Sequence, residues 1–187
     1  MSEPVVVDHV TKRFAGHTAV DALSLSVPAG MIYGLLGPNG AGKTTTLRMM
    51  MDIYEPDSGT VRLFDTVAGG RAHSERIGYL PEDRGLYPKM RVLDVLIFLA
   101  ETKGVSRRSA REKALEWLER LGLTDWRLRK VSELSKGMQQ KVQFISAILH
   151  DPELVILDEP FSGLDPVNAN VLKDIILEYH RKGHTII

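Results

Sequence analysis

Residues 37–44 read Gly-Pro-Asn-Gly-Ala-Gly-Lys-Thr, the G-x-x-x-x-G-K-[S/T] pattern of phosphate-binding loops. The glycines let the backbone curl, so that successive N–H groups gather around phosphate oxygens. Lys43 supplies a charge for the β- and γ-phosphates, the Thr44 hydroxyl is a ligand for Mg²⁺, and Thr45 is placed to touch the α-phosphate. The predicted phosphate-binding residues are Gly37, Pro38, Asn39, Gly40, Ala41, Gly42, Lys43, Thr44 and Thr45.

A second candidate site lies where four apolar residues, 154–157, run into Asp158 and Glu159. This pattern is typical of a buried strand with an acid at its carboxyl end, and we expect the strand to lie beside the one that leads into the phosphate loop. Asp158 would then hold the Mg²⁺ shell, and Glu159 would act as the catalytic base that polarises the attacking water. An acidic exit from a strand is also common without any function, so the prediction depends on the loop upstream.

The composition indicates an ordinary globular chain. Of its 187 residues 43% are hydrophobic, and 24 Lys and Arg balance 24 Asp and Glu. A neutral chain has no overall attraction for nucleic acid or anionic lipid, so phosphate binding must come from a local site. The absence of cysteine excludes disulfides and thiol chemistry. No apolar run approaches the ~20 residues that span a bilayer, and no secretory signal precedes the first strand.

The predicted elements define an α/β fold: a phosphate-loop core with a mainly parallel sheet, an N-terminal antiparallel β part and an inserted all-helical subdomain. Short strands are expected at residues 5–7 and 24–27. Residues 31–36 form a continuous apolar run that favours a strand buried on both faces. Residues 1–82 and 132–187 would form the phosphate-loop core, and residues 83–131 the helical subdomain.

Between the phosphate loop and the acidic strand, residues 134–139 read Leu-Ser-Lys-Gly-Met-Gln. This segment resembles the signature of the ATP-binding cassette (ABC) family, Leu-Ser-Gly-Gly-Gln, and residues 162–165 match the family's D-loop. Residues 80–88, Leu-Pro-Glu-Asp-Arg-Gly-Leu-Tyr-Pro, are similar to a bacterial export-type subgroup that includes sodium-efflux ATP-binding proteins. The resemblance covers the whole chain.

The resemblance implies further roles. Ser135 and Gly137 correspond to the signature residues that touch the γ-phosphate. Phe14 stands where the family carries an adenine-stacking aromatic, although it could also be an ordinary core residue, and Glu82 stands at the Q-loop position, where it would ligate the metal. The implied nucleotide-binding residues outside the phosphate loop are Phe14, Val20, Ser135, Gly137, Gln139 and Asp165. The implied metal ligands are Thr44, Glu82 and Asp158.

Three departures from the family pattern are visible. Lys136 replaces the first glycine of the signature, and Met138 stands before Gln139. Glu82 replaces the usual glutamine, which adds negative charge beside the metal. The family's switch histidine falls beyond residue 187, and His184 precedes the last strand. Because the sequence stops inside an apolar strand, we expect a C-terminally truncated chain that binds ATP but hydrolyses it weakly.

The function implied is that of the ATP-binding and ATP-hydrolysing subunit of an ABC transporter, which requires ATP and Mg²⁺. Two cassettes would pair, as a homodimer or heterodimer, and drive membrane-spanning permease subunits from the cytoplasmic face of the cell membrane. One alternative is a non-transport ABC ATPase in DNA maintenance, which would carry a long coiled coil between its two nucleotide motifs. Another is a translation-associated ABC protein, and a third is a plain P-loop kinase or GTPase, which would lack the signature.

Overall fold

The computed structural model describes residues 2–67, 72–83 and 85–187, and in these ranges the chain forms two sheets and five α-helices. One sheet is antiparallel and the other is parallel. The predicted fold class, with an N-terminal antiparallel part and helices between the strands of the parallel part, is confirmed.

The antiparallel sheet is built mainly from the first 63 residues. Strands β1 and β2 form a long hairpin, which extends well beyond the short strands expected at 5–7 and 24–27. Register shifts interrupt the β1–β2 pairing, and these irregularities hide the alternation that would have predicted its full length. In the order β2-β1-β3-β4, the strands are His17–Val27, Val5–Phe14, Ser58–Leu63 and Thr66–Val67.

The parallel sheet has the order β5-β6-β7, with β5 at Ile77–Leu80, β6 at Leu154–Leu157 and β7 at Thr185–Ile186. Ile32 forms a parallel bridge with Ile186, so the segment that leads into the phosphate loop lies next to β7. The expectation that β6 adjoins this segment is therefore wrong, because β7 lies between them. An apolar run predicts that a strand is buried but does not identify its neighbours.

The expectation for residues 31–36 is also wrong. Met31 is 50% exposed, Ile32 42% and Leu36 95%, and only the bridge with Ile186 ties the segment to a sheet. In the part of the chain that the structure describes, no strand pairs with the other edge of this segment.

Five helices complete the fold. The described residues of the inserted region contain α2 and α3, as predicted, and a 3₁₀ turn at Thr124–Trp126; a second 3₁₀ turn, Val131–Glu133, begins at the end of the region. None of the described helices is long and apolar enough to cross a bilayer. The helices are α1 at Lys43–Met50, α2 at Val92–Glu101, α3 at Arg107–Arg120, α4 at Lys136–Ile148 and α5 at Pro166–Arg181.

Two hydrophobic clusters hold these elements together. One joins the antiparallel sheet to α1 and to one side of β5 and β6. The other packs α2 and α3 against α4, α5 and the opposite side of the parallel sheet. The inserted helices thus share a core with α4, the helix that begins at the signature. This packing brings the carboxyl end of β6 against the first turn of α1, where the candidate site lies.

Candidate nucleotide site

The phosphate loop takes its shape from a close contact with β2. Gly42, the N-cap of α1, has a φ of +86°, in the left-handed region that favours glycine. A Cβ atom there would overlap the carbonyl oxygen of Ala19 and press on the side chain of Val20. Val20, which is 7% exposed, therefore packs against the loop at Gly42. Its predicted place near adenine stays a prediction. The loop ends at the N-terminus of α1, where the helix dipole favours anions.

Lys43 is held against the loop that it follows. Its Nζ donates hydrogen bonds to the carbonyl oxygens of Gly37, at 2.8 Å, and Pro38, at 3.1 Å. These bonds fold the side chain back over the concave side of the loop. The geometry places a positive charge at the loop where the sequence predicts phosphates.

Thr44 and Asp158 meet as predicted, although 114 positions separate them. The Thr44 Oγ1 donates to Asp158 Oδ1 at 3.1 Å, and the backbone N–H of Asp158 donates to the carbonyl oxygen of Leu80 at 2.9 Å. Asp158 is 3% exposed, and burial raises the pKa of its carboxyl group, an effect that the Thr44 hydrogen bond partly offsets.

The surroundings of Asp158 fit a magnesium ion. Its Oδ2 is buried and has no hydrogen-bond partner among the described residues, so one carboxylate oxygen lacks compensation. Within the described ranges no group of three or more His, Cys, Asp or Glu side chains could hold a metal. One buried carboxylate beside a hydroxyl group, as in Asp158 and Thr44, suits Mg²⁺, which is usually bound through one or two carboxylates together with substrate phosphates and water.

Glu159 turns away from its buried neighbour. It has a φ of +51°, a left-handed conformation that costs free energy in a non-glycine residue, and its side chain is exposed where Asp158 is enclosed. The turn directs Glu159 into a cavity of about 480 Å³ that Glu82 also lines. The cavity is lined by His17, Ala19, Asn39, Gly40, Ala41, Gly42, Lys43, Thr44, Thr45, Glu82 and Glu159.

Two lining residues, His17 and Ala19, were not predicted. They lie at the start of β2, directly after the turn of the first hairpin. No pattern at these positions indicates a role, because only the packing of the loop onto β2 brings them to the cavity.

The signature residues lie elsewhere. Ser135 is the N-cap of α4, and its hydroxyl accepts a hydrogen bond from the Met138 N–H at 3.3 Å. A Cβ on Gly137 would lie 3.3 Å from the carbonyl oxygen of Gly163 in the D-loop. The Gln139 Nε2 donates to the Leu134 carbonyl oxygen at 3.0 Å, which stabilises the turn before α4.

Asp165 caps α5 by accepting hydrogen bonds from the N–H groups of Val167 and Asn168. None of the described signature or D-loop residues lines the cavity at the phosphate loop. The structure therefore brings together the loop, Asp158, Glu82 and Glu159, but it does not bring the signature to them within one chain.

Phe14 ends β1 and is 39% exposed. Its ring meets that of Tyr54 edge-on at 5.3 Å, and the Lys12 Nζ lies 5.5 Å from its centroid. It does not line the cavity described above, so stacking on adenine stays a prediction. Arg84, in the segment at 80–88, lies outside the described residues.

The sequence profile of the family described as "ABC transporter" matches residues 20–162, which include the phosphate loop, the signature and the acidic strand. The chain belongs to the ABC transporter family. This cassette is 51% identical over 183 residues to YhaQ of Bacillus subtilis, an uncharacterized ABC transporter ATP-binding protein, covering 98% of the chain and 61% of YhaQ. It is 39% identical over 189 residues to the bacitracin transport ATP-binding protein BcrA of Enterococcus faecalis, covering 100% of the chain and 60% of BcrA.

Solved structures agree with the fold. A structure described as the ATP-binding subunit of an ABC transporter superposes with a TM-score of 0.88 at 27% identity, covering 97% of this cassette and 77% of that chain. The ATP-binding cassette MJ0796, solved as a dimer with ADP and Pi, superposes with a TM-score of 0.89 at 23% identity, covering 97% of this cassette and 85% of that chain. At that identity the second match supports the fold alone. The cassette spans about 61% of the length of YhaQ.

Proposed function

We propose that the chain binds Mg-ATP in the cavity at the phosphate loop and that this cassette supports ATP hydrolysis. The observation that carries this proposal is the hydrogen bond between Thr44 and Asp158 at 3.1 Å, next to Lys43, while the other Asp158 oxygen is buried and has no hydrogen-bond partner in the described part of the chain. A hydroxyl group of the phosphate loop and a buried carboxylate are thus in direct contact.

Each residue of this group has a defined task. The loop and Lys43 bind and orient the phosphates, since positioning and charge stabilisation supply most of the catalysis in phosphoryl transfer. Thr44 and Glu82, which line the cavity, and Asp158, which contacts Thr44, would hold Mg²⁺, which when bound supplies positive charge against the phosphate oxygens. Glu159, exposed in that cavity, would accept a proton from the attacking water.

The second half of the site would come from another cassette. Ser135 and Gly137 lie apart from the loop cavity, at the first turn of α4, where a helix N-terminus favours anions. We propose that two cassettes face each other head to tail, so that Ser135 and Gly137 of one chain meet the γ-phosphate on the loop of the other. Phe14 and Val20 would receive the adenine, while Gln139 and Asp165 would shape the signature side.

The task of the whole protein is proposed to be transport. Relatives carry names such as "Bacitracin transport ATP-binding protein BcrA" and "Nod factor export ATP-binding protein I", and these names favour transport over the DNA-maintenance and translation alternatives. Permease subunits at the cytoplasmic face of the membrane would be the partners. Residues 83–131 would form the helical subdomain that meets them, beside an ATP-binding core at 1–82 and 132–187.

Calorimetric titration of the chain with ATP, with and without Mg²⁺, tests the proposal. We expect one nucleotide per chain and tighter binding with Mg²⁺, because the ion would be ligated by the Asp158 oxygen that has no partner among the described residues. Absence of binding under both conditions would contradict the proposal.

A further inference from the structure

Helix α4 carries two buried glutamines one turn apart. Gln140 is 4% exposed and Gln143 is 3% exposed. Buried amides must find hydrogen-bond partners, because an unpaired one costs free energy comparable to a lost hydrogen bond. The partners of these two side chains lie in two separate loops, each of which carries a carboxylate of the nucleotide cavity.

Gln143 serves the loop of Glu82. Its Nε2 donates to the carbonyl oxygen of Pro81 at 3.1 Å and to that of Asp83 at 3.0 Å, the two residues that flank Glu82. Its Oε1 is buried without a partner among the described residues. The amide group is thus oriented entirely toward the loop, at the cost of an unpaired acceptor.

Gln140 serves the loop of Glu159. Its Nε2 donates to the carbonyl oxygen of Pro160 at 3.2 Å, one residue beyond Glu159. The two glutamines therefore reach the backbones next to both exposed carboxylates that line the cavity.

The loop of Glu82 has a second support from α1. The Arg48 guanidinium forms an ion pair with Asp83 at 3.0 Å and donates to the Tyr54 hydroxyl at 3.3 Å. Asp83 is largely exposed, so this pair is expected to stabilise the loop only weakly. The buried Gln143 bonds are the stronger attachment, since solvent does not compete for them.

On the basis of the proposed function, we infer that Gln143 is a positioning residue that sets Glu82 toward the magnesium side of the cavity, and that Gln140 does the same for Glu159. Both lie on the helix that begins at Ser135. A displacement of α4 would therefore move both loops, and the two carboxylates with them.

Hydrogen–deuterium exchange on the nucleotide-free chain tests the attachments directly. In Gln143→Met, a variant of similar volume without the amide donors, we expect faster exchange in the peptide covering residues 80–88 and no change in residues 158–163. Gln140→Met should give the reverse pattern. Equal effects on both peptides, or no effect on either, would overturn the inference, and this readout does not depend on ATP binding.

Titration with ATP separates the role of Gln143 from a purely structural one. Loss of a group that orients a metal ligand typically weakens metal binding on the order of tenfold. We expect Gln143→Met to lose most of the tightening that Mg²⁺ produces, with ATP affinity unchanged in the absence of Mg²⁺, while Gln140→Met keeps the Mg²⁺ effect. If the wild-type chain binds Mg-ATP and Mg²⁺ tightens ATP binding equally in the wild type and in Gln143→Met, the inference fails and the proposed function stands. If the wild-type chain does not bind ATP, the proposed function fails.

A second pair of variants covers the case in which a methionine substitution prevents folding. Gln143→Glu and Gln140→Glu keep the shape of the side chain and replace the donating amide by an oxygen. Each should release the same loop as its methionine counterpart, with the same contrast between the two peptides. Circular dichroism establishes folding first, and a folded Gln143→Glu with wild-type exchange at residues 80–88 would contradict the inference.

Discussion

The phosphate-loop half of the site and the signature half differ in what their polar groups contact. In the first, Lys43 donates to its own loop and Thr44 donates to Asp158, and an oxygen of Asp158 is left unpartnered. In the second, Ser135 and Asp165 are used as helix caps. Among the described residues, the first half thus keeps one buried carboxylate oxygen without a hydrogen bond, whereas Ser135 and Asp165 of the second half accept hydrogen bonds within the chain.

Residues assigned to one ligand therefore need not share one pocket. The loop half is closed by tertiary contacts across 114 positions of sequence, and a single chain provides it. The signature half presents a helix N-terminus outward, with Ser135 and Lys136 exposed. The loop half should therefore act in an isolated chain, and the signature half only when a second chain faces it.

The largest expected effect concerns Glu159. In a longer form of the protein that hydrolyses ATP, Glu159→Gln keeps the size and hydrogen bonding of the side chain but removes the base, so turnover should fall about 10²- to 10⁴-fold while ATP still binds. Phosphate release measures this. Glu116→Gln, an exposed carboxylate on α3, is the control and should keep full turnover. Wild-type turnover in Glu159→Gln would exclude it as the base.

Lys43→Ala tests the contribution of the loop half to ATP binding. It removes a charge-assisted contact worth ~1.5–3 kcal/mol, so the affinity of the chain for ATP should fall on the order of ten- to a hundredfold. Calorimetry gives the dissociation constants. Lys89→Ala, an exposed lysine outside the cavity, should bind as the wild type does. Equal affinities in the wild type and Lys43→Ala would count against the loop half.

A smaller, pH-dependent effect is expected from Asp158. Because burial raises the pKa of this carboxyl, it becomes protonated at a higher pH than an ordinary aspartate does, and Mg²⁺ then loses a ligand. The Mg²⁺-dependent part of ATP affinity should therefore weaken as pH falls toward that raised pKa. Titrations at several pH values measure it, and an affinity gain from Mg²⁺ that does not change with pH would argue against Asp158 as a ligand.

The raised pKa of Asp158 also affects the stability of the chain without Mg²⁺, which should fall as pH rises, whereas the Mg²⁺-dependent ATP affinity should rise. Without Mg²⁺ the folded chain binds the Asp158 proton more tightly than the unfolded chain does, so its contribution to stability is lost as pH rises through the folded pKa. Asp158→Asn should flatten this part of the pH–stability curve, which chemical denaturation records.

The smallest expected effect is that of Ser135→Ala in the isolated chain. Loss of the cap of α4 should lower the free energy of unfolding by ~1 kcal/mol, because an N-terminal N–H loses its acceptor. ATP affinity should not change at concentrations where the chain is monomeric. Weaker ATP binding by the monomeric variant would break the distinction between the two halves.

Most of the elements and site residues that the sequence predicted correctly belong to short local motifs. The phosphate loop, β6 with Asp158, and α4 after Ser135 were found because each is defined by a short run of residues. The prediction that β6 lies beside the segment leading into the phosphate loop was wrong. The strand β7, which comes last in the chain, lies between them. Gln143 was missed because its partners, Pro81 and Asp83, lie about 60 positions away and nothing in the sequence links them.

Sedimentation velocity on mixed variants tests most directly whether the two halves meet between chains. With Glu159→Gln as background and Mg-ATP present, Lys43→Ala alone lacks a working loop and Ser135→Arg alone lacks a working signature. A mixture can form one complete site, from the loop of the Ser135→Arg chain and Ser135 of the Lys43→Ala chain. We predict a species of twice the 20.9 kDa mass in the mixture and in the background protein, and monomers in each variant alone. A background protein that dimerises with ATP while the mixture stays monomeric would contradict the head-to-tail arrangement.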